Sequence, residues 1–308
     1  FRAGLLAVCL SGGFGMIVLL TAGLIACVSR VLFLSVAQWR DTGARSCLPE
    51  IHRYLRYGGP LILVGCAGFT LRSIDRWFLA AHIGPAALAE YALAAKFGLI
   101  TAMLMQPFDM WWTSTRFRLL NAVDGVVQVA KRAENGISLA LIAAVCVAGA
   151  GPLVVSKITP DEYHGASQYI PWLSLLAAMN GITTLLNLGI YTGKTTARPL
   201  VIDASAAALG IVGFATCIPL FGIAGAIMAM GAALTLRLIT TYIVAQRQHH
   251  IPYAGFRLTV LGALAAASIA ALSAMNLSYP AQAITGVVVA VGLTAASMML
   301  NLLPPVYR

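Results

Sequence analysis

Residues 57–112 read YGGPLILVGCAGFTLRSIDRWFLAAHIGPAALAEYALAAKFGLITAMLMQPFDMWW, two long apolar runs parted by His82-Ile83-Gly84-Pro85. A bilayer core about 30 Å thick takes roughly twenty apolar residues as a helix, and Gly-Pro is strong punctuation. The stretch therefore predicts a transmembrane hairpin, with helices at about 57–81 and 88–112. The same cuts, carried outward, predict helices at about 135–157, 167–192, 199–218, 222–246, 256–276 and 280–303. Pro219-Leu220-Phe221-Gly222 and Asn276-Leu277-Ser278-Tyr279-Pro280 divide charge-free stretches too long for single spans, so both read as tight hairpins. Residues 3–37 are nearly continuous but broken by Ser11-Gly12-Gly13, and read as one long helix or the remnant of one plus a second. The expected class is an all-α polytopic bundle of about 9–10 helices.

Composition excludes a soluble globule, because 60% of the 308 residues are hydrophobic and 10% charged, where soluble chains run near a quarter charged. The formal charge of +10 raises nucleic-acid binding only to dismiss it: the bases punctuate apolar runs instead of forming a stripe. Cys9, Cys27, Cys47, Cys66, Cys146 and Cys217 are scattered with no metal spacing and read as small apolar residues. The chain opens on Phe1 with a first apolar run too long for a signal-peptide core, and is expected to be a piece of a longer or processed polypeptide.

The loops sort by charge. Arg40, Arg45, Arg53, Arg56, Arg116, Arg118, Lys131, Arg132, Lys194, Arg198, Arg247, Arg257 and Arg308 fall in alternate connections or at the C-terminus, and Lys157 alone in the others. That asymmetry predicts cytoplasmic placement for the first set and for the C-terminus. Within the longest basic loop, 113–136, Phe117, Leu120, Val123, Val127 and Ala130 recur three to four residues apart, which predicts a helix lying on the inner membrane surface. Gly222, Gly225, Ala226 and Ala229, and Gly189 with Gly193, have the spacing of close helix packing.

Ionisable side chains inside the hydrocarbon layer are costly and are functional candidates by default: here Arg72, Asp75, Arg76, Lys96, Asp109, Asp203 and Arg237. Arg72, Asp75 and Arg76 share a helix face, where Asp75 can bridge both guanidinium groups. Lys96 is expected at the same depth on the returning helix. These charges leave an excess of +2, or +1 if Glu90 leans in, which favours an anion-facing cavity over a purely structural ion pair. Asp203 and Arg237 read as a simple interhelical pair. Asp109, beside Trp111 and Trp112, is a possible ion-coupling site but better fits a solvated charge at the interface. Catalytic signatures are poor: Asp161, Glu162 and His164 form a short polar turn, His249-His250 lacks further ligands, and no phosphate loop or paired intramembrane carboxylates occur. No enzyme activity, metal or cofactor is expected.

Tyr57-Gly58-Gly59-Pro60-Leu61-Ile62, Ser73-Ile74-Asp75-Arg76-Trp77-Phe78-Leu79, Ile83-Gly84 and Tyr91-Ala92-Leu93-Ala94-Ala95-Lys96 resemble the seventh and eighth helices of polysaccharide flippases. These are the O-antigen and exopolysaccharide transporters of the superfamily that also holds the MATE exporters. Lys194 to Arg198, Asp203 and Phe221-Gly222-Ile223-Ala224-Gly225-Ala226 are similar to the eleventh and twelfth. The resemblance implies the end of a first lobe (1–38), a basic cytoplasmic linker (39–56), a six-helix second lobe (57–246) and two additional C-terminal helices (247–308). It also implies a multi-pass protein of the bacterial inner membrane whose cavity, with Arg72, Asp75, Arg76 and Lys96, passes a lipid-pyrophosphate-linked glycan through the phospholipid bilayer. Other polysaccharide-assembly membrane proteins would be its partners. The rivals are a MATE-like exporter of cations, which should be lined by acids, and a membrane glycosyltransferase or glycan ligase, which should display a sizeable outer loop or several carboxylates.

Overall fold

The computed structural model describes residues 16–43, 48–192, 197–275 and 278–303. Among them there is no strand, and the chain is an all-α polytopic membrane bundle. Its helices are α1 (Met16–Thr42), α2 (Leu48–His82), α3 (Pro85–Leu120), α4 (Gly125–Ile158), α5 (Ile170–Leu186), α6 (Ala197–Gln248), α7 (Gly255–Ala274) and α8 (Tyr279–Met299). Short 3₁₀ turns, Asp161–Gln168 and Asn187–Thr192, flank α5. Seven described helices are long and apolar enough to cross a membrane: all of these but α2. Helix is the form lipid enforces, since every backbone N–H and C=O must be bonded within the segment.

The chain divides into two compact units, residues 1–55 and 56–308. In the first, α1 is uninterrupted from Met16 to Thr42 and exposes Leu24, Val28, Leu32 and Phe33. The Ser11-Gly12-Gly13 break lies outside the described residues.

In the second unit α4 is the hub, and small residues let its neighbours close in. A Cβ on Gly149 would stand 2.6 Å from Gly286 Cα of α8, so the two backbones touch there. A Cβ on Gly151 would meet Ile170 of α5 at 2.6 Å, and one on Gly136 would stand 2.4 Å from the Phe108 ring of α3. Large side chains such as Trp112 and Phe214 fill the interior, while Met103, Val212, Ile284 and Val288 face outward. The close backbone contacts suit a solvent as apolar as leucine, where packing drives association more than burial does.

The hairpin expected at 219–222 is present: α6 folds back at Gly222, whose φ of 61° and ψ of −134° are open to glycine. Its arms, 197–221 and 223–248, pack closely, since a Cβ on Gly225 would fall 2.1 Å from the Cys217 carbonyl oxygen and one on Gly213 would fall 2.8 Å from Ala229 Cβ. Gly189 sits equally tightly against Ala245, while Gly193 lies outside the described residues.

The surface helix expected within 113–136 does not form. α3 continues to Leu120, and the chain reverses over Asn121 to Asp124, where Asp124 takes a left-handed φ of 55° and α4 begins. Val129, Ala130 and Ala133 are buried in the bundle. Their three-to-four spacing marks a helix with one apolar face, and bundle and membrane surface satisfy that pattern equally well.

Candidate functional site

A cavity of about 380 Å³ opens between α2, α3, α5 and both arms of α6. Its wall is mostly Ala, Gly, Leu and Met, interrupted by Asp75, Arg76, Tyr91, Asn180, Thr184, Asp203 and Arg237. The polar groups fall at two levels. The α2–α3 turn and the α6 fold lie together, since Gly222 would carry a Cβ 3.4 Å from Ile83 Cδ1. At 1.5 Å per residue, Arg76 lies about 12 Å and Arg237 about 22 Å below that end.

At the upper level Asp75 is 2% exposed, and its carboxylate accepts hydrogen bonds from the Tyr91 hydroxyl and, at 2.8 Å, from the backbone N–H of Arg76. Of the bridging of Asp75 to both guanidinium groups expected from the sequence, the Arg76 half is not formed: consecutive residues point about 100° apart on a helix, and the acid turns to α3 instead. Arg76 lines the cavity, is exposed, and forms no ion pair among the described residues. The side chain of Arg72 lies outside the described residues.

Lys96 is exposed and is not among the described residues of the wall. The cavity-facing positions of α3, Tyr91, Ala95, Gly98, Leu99 and Ala102, centre roughly 115° around the helix from it. Glu90 does not lean toward the arginines either; it packs against Gly165, where a Cβ would stand 2.9 Å from its Oε2. Asp109 is half-buried on α3, outside the wall, with no hydrogen bond or ion pair among the described residues.

At the lower level Arg237 Nε lies 2.5 Å from Asp203 Oδ1, as an interhelical pair should, but the group is larger than a pair. Arg237 Nη1 also donates to Asn180 Oδ1 on α5 at 2.8 Å, and all three side chains line the cavity. Sequence inspection missed Tyr91, Asn180 and the exposure of Arg237 to the cavity. Hairpin counting could have found the first of these, since Asp75 and Tyr91 stand eight residues either side of Ile83, just as the expected pair Asp203 and Arg237 stand symmetrically about Leu220. Asn180, on a separate helix, gave no such signal.

Elsewhere, His164 Nδ1 lies 3.5 Å from Asp161 Oδ1 in the turn before α5, with the Asp161 side chain fully exposed. Among the described residues no group of three or more His, Cys, Asp or Glu is placed to hold a metal.

Fold and site together define a multi-pass membrane protein whose second unit holds a cavity with a mostly apolar wall and charged and polar side chains at two levels. No family model, curated protein or solved structure matches the chain.

Proposed function

We propose that this chain is part of a transporter that passes a lipid-pyrophosphate-linked oligosaccharide across the bacterial cytoplasmic membrane for cell-surface polysaccharide synthesis. The observation that carries this reading is the arrangement of charge on the cavity wall. Both acids are nearly covered, Asp75 at 2% and Asp203 at 8% exposure, and each accepts hydrogen bonds. Both arginines present more of their surface. An entering molecule meets donors first, and a guanidinium fork suits the oxygens of a pyrophosphate bidentately. The flippase-like motif around Asp75 and Arg76 supports the same substrate class.

The mechanism is non-enzymatic. The cavity shields the pyrophosphate charge, the lipid tail stays in the bilayer, and the glycan crosses as access alternates between the two faces. The C-terminus is cytoplasmic in this reading, following the basic loops, and the glycan-assembly proteins of the membrane are the partners.

The test is export of surface glycan together with protein abundance in the same strains. Arg76→Ala blocks export at unchanged abundance, and Arg76→Lys retains part of it because an ammonium still supplies a point charge. If lost glycan always tracks lost protein, the reading is wrong.

A further inference from the structure

Asp203 and Arg237 line two spaces at once. One is the main cavity; the other is a small pocket of about 20 Å³, room for about one water, walled also by Thr183, Asn187, Tyr191 and Thr241. Beyond that pocket the polar line continues. Arg116 of α3 donates from Nη1 to Asn187 Oδ1 at 3.0 Å and holds its guanidinium 5.9 Å from the Tyr191 ring centroid, near the end of the bundle that carries Arg118, Lys131 and Arg132. A row of polar side chains thus runs from Arg76 to Arg116 through a wall that is otherwise apolar, and Arg237 with its partners stands across its middle.

We propose that Asp203, Arg237 and Asn180 form a gate that closes the cavity from the basic end of the bundle. The three side chains come from three separate helical segments, the two arms of α6 and α5. A clamp for the α6 hairpin alone would need neither Asn180 nor open space on both sides. Release of Arg237 from Asp203 and Asn180 joins the small pocket to the cavity, and relative movement of α5 and α6 is the motion that breaks these bonds. The gate depends on no particular substrate, so it stands or falls separately from the glycan reading.

The test uses the full chain with its six cysteines replaced and Ala177→Cys as reporter. Ala177 lines the cavity one turn before Asn180, on the side away from Asn187. A membrane-impermeant methanethiosulfonate is supplied in sealed vesicles only to the face that carries Arg116. Modification is slow with the triad intact and about tenfold faster in Asp203→Asn, the scale of losing one charge-assisted hydrogen bond from a closed state. Exchange of the charges, Asp203→Arg with Arg237→Asp, returns the rate toward the slow value. Should Asp203→Asn fail to insert, Asn180→Ala removes one leg without stranding a charge and still accelerates labelling. Equal rates in the parent and in whichever of these single variants insert overturn the gate, as does a charge exchange that leaves labelling fast.

Discussion

The hydroxyl of Tyr91 on α3 donates to the carboxylate of Asp75 on α2, sixteen residues away across the turn at Gly84, and both side chains are at most 2% exposed. Asp75 belongs in this bundle because Tyr91 and the Arg76 N–H meet it; a buried carboxylate without such donors is strongly disfavoured. Tyr91→Phe should therefore lower stability by about 1–3 kcal/mol, the cost of orphaning one bond to a charged acceptor. In the Asp75→Asn background the same change should cost measurably less, and thermal unfolding of the four proteins in nanodiscs gives the coupling directly. Additive effects would contradict the contact.

Backbone contact between α4 and α8 makes a sharp contrast among glycines. Gly286→Val should abolish accumulation of folded protein, because a Cβ there meets Gly149 Cα at 2.6 Å, backbone against backbone, with no side chain free to yield. Gly292→Ala, on the same helix with nothing within 4 Å of its Cβ, should accumulate normally. Membrane-fraction abundance checks both.

Loop charge predicts sidedness. A cysteine at Val123, 87% exposed in the turn between α3 and α4, should react from the cytoplasmic face, and one at Glu162, in the turn before α5, from the opposite face. Labelling of both from one side would require an even number of crossings between them and would undo the helix assignment.

The link between α6 and α7 is braced from α4. Glu134, 6% exposed, accepts a 2.6 Å hydrogen bond from the Ala254 N–H at the start of α7, and Gln246 bonds both N–H and C=O of Ile251. Glu134→Gln keeps an acceptor and should be mild, whereas Glu134→Ala should lower the unfolding temperature by the equivalent of about 1–3 kcal/mol. Little difference between the two would show the brace to be unimportant.

Beside that brace, burial, then Tyr242 and Glu134, hold the Tyr253 phenol above the usual tyrosine value, and its buried hydroxyl has no hydrogen-bond partner among the described residues. The unfolded phenol ionises first as pH rises past about 10, so stability is independent of Tyr253 titration below that pH and falls above it, where the fold must hold the phenol neutral. Tyr253→Phe should match or slightly exceed the parent at pH 8 and show a shallower fall in unfolding temperature above pH 10. Parallel alkaline curves would refute the assignment.

Much of this architecture was legible in one dimension. Lipid leaves a dehydrated backbone no alternative to helix, so the lengths of the apolar runs and the punctuation at Gly84 and Gly222 set where the chain crosses and turns. Hairpin arithmetic about those turns also brings Asp75 to Tyr91 and Asp203 to Arg237. What only the tertiary structure decided is the rotation of each helix about its own axis. Close packing of α3 on α5, where a Cβ on Gly98 would stand 3.0 Å from the Leu173 carbonyl oxygen, goes with Lys96 turned from the cavity, and Asn180 of α5 meets Arg237. The periodicity of 113–136 shows the same limit: it announces an apolar helical face, but whether that face meets lipid or another helix depends on residues far away in the chain, here those around Val129 and Ala133 in the bundle.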